Sequence, residues 1–167
     1  MLRRSSGCVW RDRMLIGVIS DTHGLLRQEA LVALAEAEHI LHAGDVGTIE
    51  ILEELRKIAP VTAIRGNVDV HGECAKLPAT EMVELGGRYF YMVHSVHDLD
   101  IDSRAAGVDV VVSGHSHKPL IERKSGVLYL NPGSAGPRRF SLPVTVALVT
   151  VRDGGVEARL VELQILG

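Results

Sequence analysis

A mixed α/β domain is the fold class this sequence predicts, and three observations predict it. Short apolar runs alternate with segments of helical spacing as far as Asp69. Beyond Thr80, strand-like runs follow one another with only a weak helical pattern, Leu99 to Ala106, among them. Seventeen glycines, more than a helix bundle carries, supply tight turns throughout. Strand–helix alternation implies a parallel sheet with right-handed crossovers in the first half. Paired strands joined by tight turns imply antiparallel β-structure in the second.

Each element follows from local residues. Leu15 to Ser20 is a continuous apolar run that breaks into polar residues and Gly24, as a buried strand does. Leu25 to Ala37 carries Leu26, Ala30 and Leu34 at helical spacing, and His39 to Ala43 is a short strand ending at Gly44-Asp45. Thr48 is a candidate cap for a helix whose buried stripe is Ile51, Leu52, Leu55 and Ile58, stopped by Pro60. Val61 to Ile64 is the third strand and runs into Arg65-Gly66-Asn67-Val68-Asp69. Thr80 to Leu85 and Arg88 to Val93 flank the hairpin signal Gly86-Gly87. Val108 to Ser113 is β-branched and ends in Gly114-His115-Ser116-His117; two further strand pairs turn at Lys124-Ser125-Gly126 and Asp153-Gly154-Gly155.

The 167 residues suit one domain with a sizeable core, and its 46% hydrophobic but 4% aromatic content makes that core aliphatic. A net charge of −3 leaves no strong nucleic-acid footprint and no pull towards anionic membranes. No apolar run approaches the roughly 18 residues of a membrane span. Cys8 and Cys74 form neither a CxxC pair nor a disulfide framework, so a reducing cytoplasm is the simplest home. Residues 1–13 hold four arginines and little apolar patterning. They are expected to be a disordered basic tail or an artefact of start assignment ahead of Met14, with residues 14–167 as the domain.

Chemistry collects where the strands end. Five apolar strands terminate in Asp21/His23, Asp45, Asn67, His94 and His115/His117. Loops at the carboxyl ends of strands in an open α/β sheet converge on one crevice. Seven side chains with oxygen or nitrogen donors on one rim exceed the needs of one ion and suit two that share a carboxylate. Two metals a few ångströms apart clamp the attacking and leaving oxygens of a phosphoryl displacement. Carboxylate, imidazole and amide together suit Mn, Fe, Zn or Ni better than Mg or Ca.

Asp21-Thr22-His23, Gly44-Asp45, Gly66-Asn67-Val68-Asp69, His94 and Gly114-His115-Ser116-His117, in this order, resemble the calcineurin-like metallophosphoesterase superfamily. The length, and Asn131-Pro132-Gly133-Ser134 followed by Pro137-Arg138, resemble its small bacterial and archaeal phosphodiesterases. The resemblance spans Met14 to Leu163. It implies two packed mixed β-sheets flanked by helices, a four-layer sandwich. It also implies a metal-dependent phosphodiesterase in which hydroxide bridging two divalent ions, Mn first among them, attacks a small phosphodiester. By the same resemblance Asp21, His23 and His117 hold one metal, Asn67, His94 and His115 the other, and Asp45 bridges. Two divalent ions, two carboxylates and a hydroxide leave a surplus of about +1, suited to a diester monoanion.

Two places depart from the fuller family pattern. Val68 stands where many members carry a histidine near the leaving group, and Ser95 follows His94 where Gly-His is common. His97 is the candidate replacement for proton transfer, against a solvated loop histidine. Asp69 is expected to orient a ligand histidine, and His42 to pack behind the ligands. The stretch holding Asn131 and Ser134 is either a turn alone or, with Arg138, a phosphate-binding segment. A non-catalytic protein-binding scaffold of the same fold, as in the eukaryotic retromer coat, and a phosphomonoesterase are the rival readings. Oligomerisation is left open.

Overall fold

The computed structural model describes residues 13–166, and within them ten strands form two five-stranded sheets. The first sheet is built from β1 (Arg13–Ile19), α1 (Gln28–Ala33), β2 (His39–His42), α2 (Ile49–Arg56) and β3 (Val61–Ala63), with all three strands parallel. The first strand also pairs antiparallel with β9 (Thr145–Arg152), and that strand with β10 (Gly155–Glu162), giving the order β10-β9-β1-β2-β3. The basic segment expected at the amino end lies, through residue 12, outside the described residues. Arg13, expected within it, opens β1 opposite Arg152.

The second sheet contains β4 (Thr80–Leu85), β5 (Arg88–Val93), β6 (Val110–Val112), β7 (Leu120–Lys124) and β8 (Val127–Asn131), in the order β4-β5-β6-β8-β7. Its two hairpins are antiparallel as expected, but β5 and β6, and β6 and β8, pair in parallel. Parallel pairing needs a long crossover, and residues 94–109 supply one. The second half is therefore mixed rather than antiparallel. Its two parallel strands β5 and β6 aim their carboxyl ends one way.

Strand alternation divides the apolar residues between layers. Ile16, Val18 and Leu41 of the first sheet meet Phe90, Met92, Val110, Leu128 and Leu130 of the second in a core between the sheets. Ile19 and Ile40 point the other way, onto Ala30 of α1 and Ile51, Leu52 and Leu55 of α2. On the outer face of the second sheet, Tyr91, Val93, Val111 and Val127 are covered by Leu99, Ile101 and Val108.

That outer cover is a 3-10 turn at Val96–Asp98 followed by turns, where a helix over 99–106 was expected. The chain makes one turn, the Ala106 amide donating to the Asp102 carbonyl, and Gly107 leaves it at φ 75°. Its apolar residues reach the sheet without helical periodicity. The first helix is also shorter than Leu25 to Ala37, because Thr22 to Leu25 is itself a turn, closed by the Leu25 amide on the Thr22 carbonyl. Thr48 stands at the start of α2, but its hydroxyl does not cap it. No described helix is long and apolar enough to cross a membrane.

Candidate metal centre

The loops after β1, β2, β3, β5 and β6 meet because their backbones are bonded to one another. Asp21 N–H donates to the Gly44 carbonyl (3.0 Å), His23 N–H to that of Asp45 (2.9 Å), and Gly114 N–H to that of His94 (2.8 Å). Glycine is required where these loops touch. A methyl group at Gly66 would overlap both the carboxylate and the amide of Asp45, and one at Gly114 would overlap the side chains of Ser20 and Asp21. Asp21, His23, Asp45, His115 and His117 all hold positive φ, between 45° and 71°. For non-glycine residues this is strain on the order of 1 kcal/mol or more each. The surrounding hydrogen bonds hold it in place.

All seven expected donor residues converge, in two adjoining groups. In the first, Nε2 of His117 lies 3.4 Å from Oδ1 of Asp21 and 3.3 Å from Nε2 of His23. In the second, Oδ1 of Asn67 lies 3.1 Å from Nε2 of His94 and 3.2 Å from Nδ1 of His115. Asp45 stands between the groups, its Oδ2 3.2 Å from His94 Nε2 and 3.7 Å from His23 Nε2. Asp21 Oδ1 also faces both, but at 3.9 Å from each of these nitrogens. Asp45 is thus the closer link.

The remaining atoms of these residues are committed elsewhere, which aims the free ones inward. Asp21 Oδ2 accepts the Ser20 hydroxyl (2.7 Å) and the His115 amide (3.1 Å). Asp45 Oδ1 accepts the Val68 amide (3.0 Å). Nδ1–H of His94 donates to the Ala43 carbonyl (2.7 Å), which turns its Nε2 towards the centre.

Electrostatics follow this arrangement. Burial pushes the Asp45 carboxyl up, but bonds from His94 and the Val68 amide outweigh it and hold the group at about 2. For His94 burial pulls down, and the Asp45 and Ala43 oxygens more than offset it, raising its pKa. Burial pulls His23 down and outweighs the Asp45 and Asp21 charges that raise it, with His117 and Arg139 adding smaller opposition to its charge. Arg138 and Arg139 are adjacent and alike in sequence, and both are exposed; the Arg139 charge opposes that of His23.

The other expected residues sort by what they touch. Asn131 donates to the Gly114 carbonyl (2.9 Å) and to Ser116 Oγ (3.1 Å), and Ser134 Oγ donates to the Asp21 carbonyl (3.0 Å). Both side chains are buried and brace the loops. Asp69 accepts the amides of Val46, Gly47 and Gly66 and no imidazole, so it ties two loops together instead of orienting a histidine. His42 is fully buried. Its Nδ1 accepts the Gly44 amide (3.2 Å), and its Nε2–H meets Thr22 Oγ1 (3.0 Å), whose own proton goes to Val46 O. Burial holds it down to about 4. His97 is exposed on the wall of a cleft that His115 also lines. Val68 is 43% exposed next to Asn67, and His71 lies exposed in a loop.

The donor set fits a cation. Asp21 Oδ1, on a fully buried carboxylate, has no hydrogen-bond partner among the described residues, although three imidazole nitrogens surround it. A buried carboxylate oxygen left unpaired is costly. A tetrahedral ion with ligands at about 2.1 Å spaces them about 3.4 Å apart, near the spacings found here. Asp21, His23 and His117, and likewise Asp21, Asp45 and His94, each bring donor atoms within 4.8 Å of one another.

A two-sheet sandwich with its chemistry confined to strand-end loops of both sheets is the architecture of metallophosphoesterases. This chain belongs to the calcineurin-like phosphoesterase superfamily, whose domain model matches residues 14–154. It is 34% identical over 147 residues to a probable metallophosphoesterase of Methanothermobacter thermautotrophicus, covering 81% of this chain and 85% of that protein. A solved structure described as a novel archaeal phosphodiesterase superposes with a TM-score of 0.76 at 26% identity, covering 90% of this chain and all of that one. Vacuolar protein sorting 29 of Cryptosporidium parvum shares the fold, with a TM-score of 0.73 at 22% identity over 92% of this chain and 99% of that one.

Proposed function

We propose that this phosphoesterase is a phosphodiesterase that works with two divalent transition-metal ions, manganese foremost. The observation that carries the reading is the position of Asp45 Oδ2 between His94 of one donor group and His23 of the other. In this reading Asp21, His23 and His117 hold one ion, Asn67, His94 and His115 the second, and Asp45 both. Bound there, the ions supply Lewis acidity towards the phosphoryl oxygens and an acidified water as nucleophile.

The protein's own residues do the rest. Asp45 stays ionised across the physiological range, being held at about 2. With Asp21 it brings only two negative charges, and the neutral Asn67 adds a donor oxygen without a third. That balance favours a phosphodiester monoanion over a more highly charged ester. Of the adjacent Arg138 and Arg139, Arg139 is assigned to the phosphate because its charge reaches His23, and His97, which lines a cleft with His115, is assigned to protonate the leaving oxygen. Asn131 and Ser134 keep the loops in register from behind. The likeness to an archaeal phosphodiesterase supports a diester, and the archaeal relative supports hydrolysis rather than scaffolding. The Vps29 likeness supports the fold only.

A substrate panel tests this reading. With Mn added, bis(4-nitrophenyl) phosphate and cyclic diesters should be hydrolysed in preference to 4-nitrophenyl phosphate. A reversed preference would make the protein a phosphomonoesterase.

A further inference from the structure

Beside the donor rim, the outer face of the second sheet is left partly open. Residue pairing sets what faces it. Tyr129 shares this face with Val111, its partner across the strand pair, and lies opposite Glu122 of β7. Alternation then turns Leu120, Glu122 and Lys124 of β7 to the same side. Facing them across the gap are Val96 and His97, from the 3-10 turn. The cleft so formed has a volume of about 480 Å³ and ends at Gly114 and His115, so it opens directly onto the proposed metal centre.

Its lining is unusual for solvent-facing structure. Val96 is 42% exposed and Leu120 47%, with Pro119 and half-buried Tyr129 between them. Lys124 stands 5.8 Å from the Tyr129 ring centroid and pairs with Glu122 at 3.4 Å. Lys118, Glu122 and Lys124 bring charge to the lining, and Val96, Pro119, Leu120 and Tyr129 supply its apolar walls. Slots of a few hundred cubic ångströms with apolar walls and few polar groups are the usual form of small-molecule sites.

We propose that this cleft binds a flat aromatic group esterified to one oxygen of the phosphodiester, and so selects the substrate. The inference rests on the phosphodiesterase reading. Its occupant follows from continuity: the lining that holds Gly114 and His115 also holds Val96, Pro119, Leu120 and Tyr129, so an ester group leaving the rim on this side meets apolar side chains. An aryl ester and a nucleoside share this chemistry.

Three non-chromogenic diesters separate the outcomes: dimethyl phosphate, methyl 1-naphthylmethyl phosphate and adenosine 5′-(methyl phosphate). Each is measured as an inhibitor of bis(4-nitrophenyl) phosphate hydrolysis, and by its shifts of the Val96 and Leu120 methyl resonances. The naphthyl or adenosine ester should bind roughly tenfold or more tightly than dimethyl phosphate, as burial of a ring predicts. In Leu120→Asp and Val96→Asp that ratio should shrink towards one. A gain for naphthyl alone assigns the cleft to aryl esters, and a gain for adenosine to nucleotides. Equal binding of all three, or a ratio unmoved by both substitutions, overturns the proposal. Methyl shifts without any hydrolysis would keep the cleft and sink the phosphodiesterase reading; hydrolysis without discrimination would do the reverse.

Discussion

Oδ2 of Asp45 lies 3.2 Å from Nε2 of His94, while Oδ1 of the same carboxylate accepts the Val68 amide at 3.0 Å. One side chain thereby ties the loop after β2 to those after β3 and β5. Asp45→Asn should damage activity more than substitution of any other single donor, because it weakens both groups at once. We expect a loss of at least about 100-fold, about 3 kcal/mol of transition-state charge stabilisation. Metal content and rate, compared across Asp45→Asn, Asp21→Asn and His94→Gln, provide the check. An Asp45→Asn protein with both metals and near-full rate would remove Asp45 from the bridging position.

His42 makes stability depend on pH. Its ring is fully buried and neutral, with Nδ1 accepting from Gly44 and Nε2–H donating to Thr22. Because its folded pKa, about 4, lies below the ordinary 6.5, the unfolded chain takes up the proton first on acidification. The contribution is complete above pH 6.5 and is lost as pH falls towards 4. The full loss amounts to about 3 kcal/mol. Urea unfolding of the metal-free protein and of His42→Gln, across this range, should show a slope in the first that is reduced in the second. Parallel curves would mean that His42 is not the responsible group.

The place beside Asn67 is held by Val68, a 43% exposed side chain with no proton to give. The rate should therefore fall steeply as the leaving group becomes more basic, since an aryl oxide leaves unaided and an alkoxide does not. Val68→His should flatten that dependence, and His97→Ala should steepen it. Proton donation of this kind is worth about 10²–10⁴-fold, less for a donor placed without supporting contacts. A leaving-group series on the three proteins measures it. Equal slopes at equal metal content would show that neither residue faces the leaving oxygen.

Two adjacent arginines give a sharp contrast. The Arg139 charge opposes that of His23. Arg139→Ala should raise KM for a diester roughly tenfold or more, the value of one charged hydrogen bond, and Arg138→Ala should change it little. The opposite order would return the phosphate to Arg138.

The donor rim was legible because each of its parts is local: an apolar run that ends in a donor residue, repeated at five strand ends, four of them with a glycine beside the donor. The Gly86-Gly87 hairpin was legible for the same reason. What escaped depends on distant partners. Parallel pairing of β5, β6 and β8 is settled by a crossover whose apolar residues, Leu99, Ile101 and Val108, seek the sheet instead of each other. Asn131 ends β8 and Ser134 follows three residues on, and only their bonds to Gly114 and Asp21 show that they brace the rim. Asp69 likewise declares itself through three amides on two loops.

The central claim is that the seven donors hold two ions that drive diester hydrolysis. Metal analysis of the protein as purified, followed by chelation and titration with Mn while bis(4-nitrophenyl) phosphate hydrolysis is monitored, tests it most directly. The account predicts two equivalents of metal, activity abolished by the chelator, and activity restored as the second equivalent binds. A well-folded protein that binds no transition metal, or that binds two and hydrolyses no phosphoester, would contradict it.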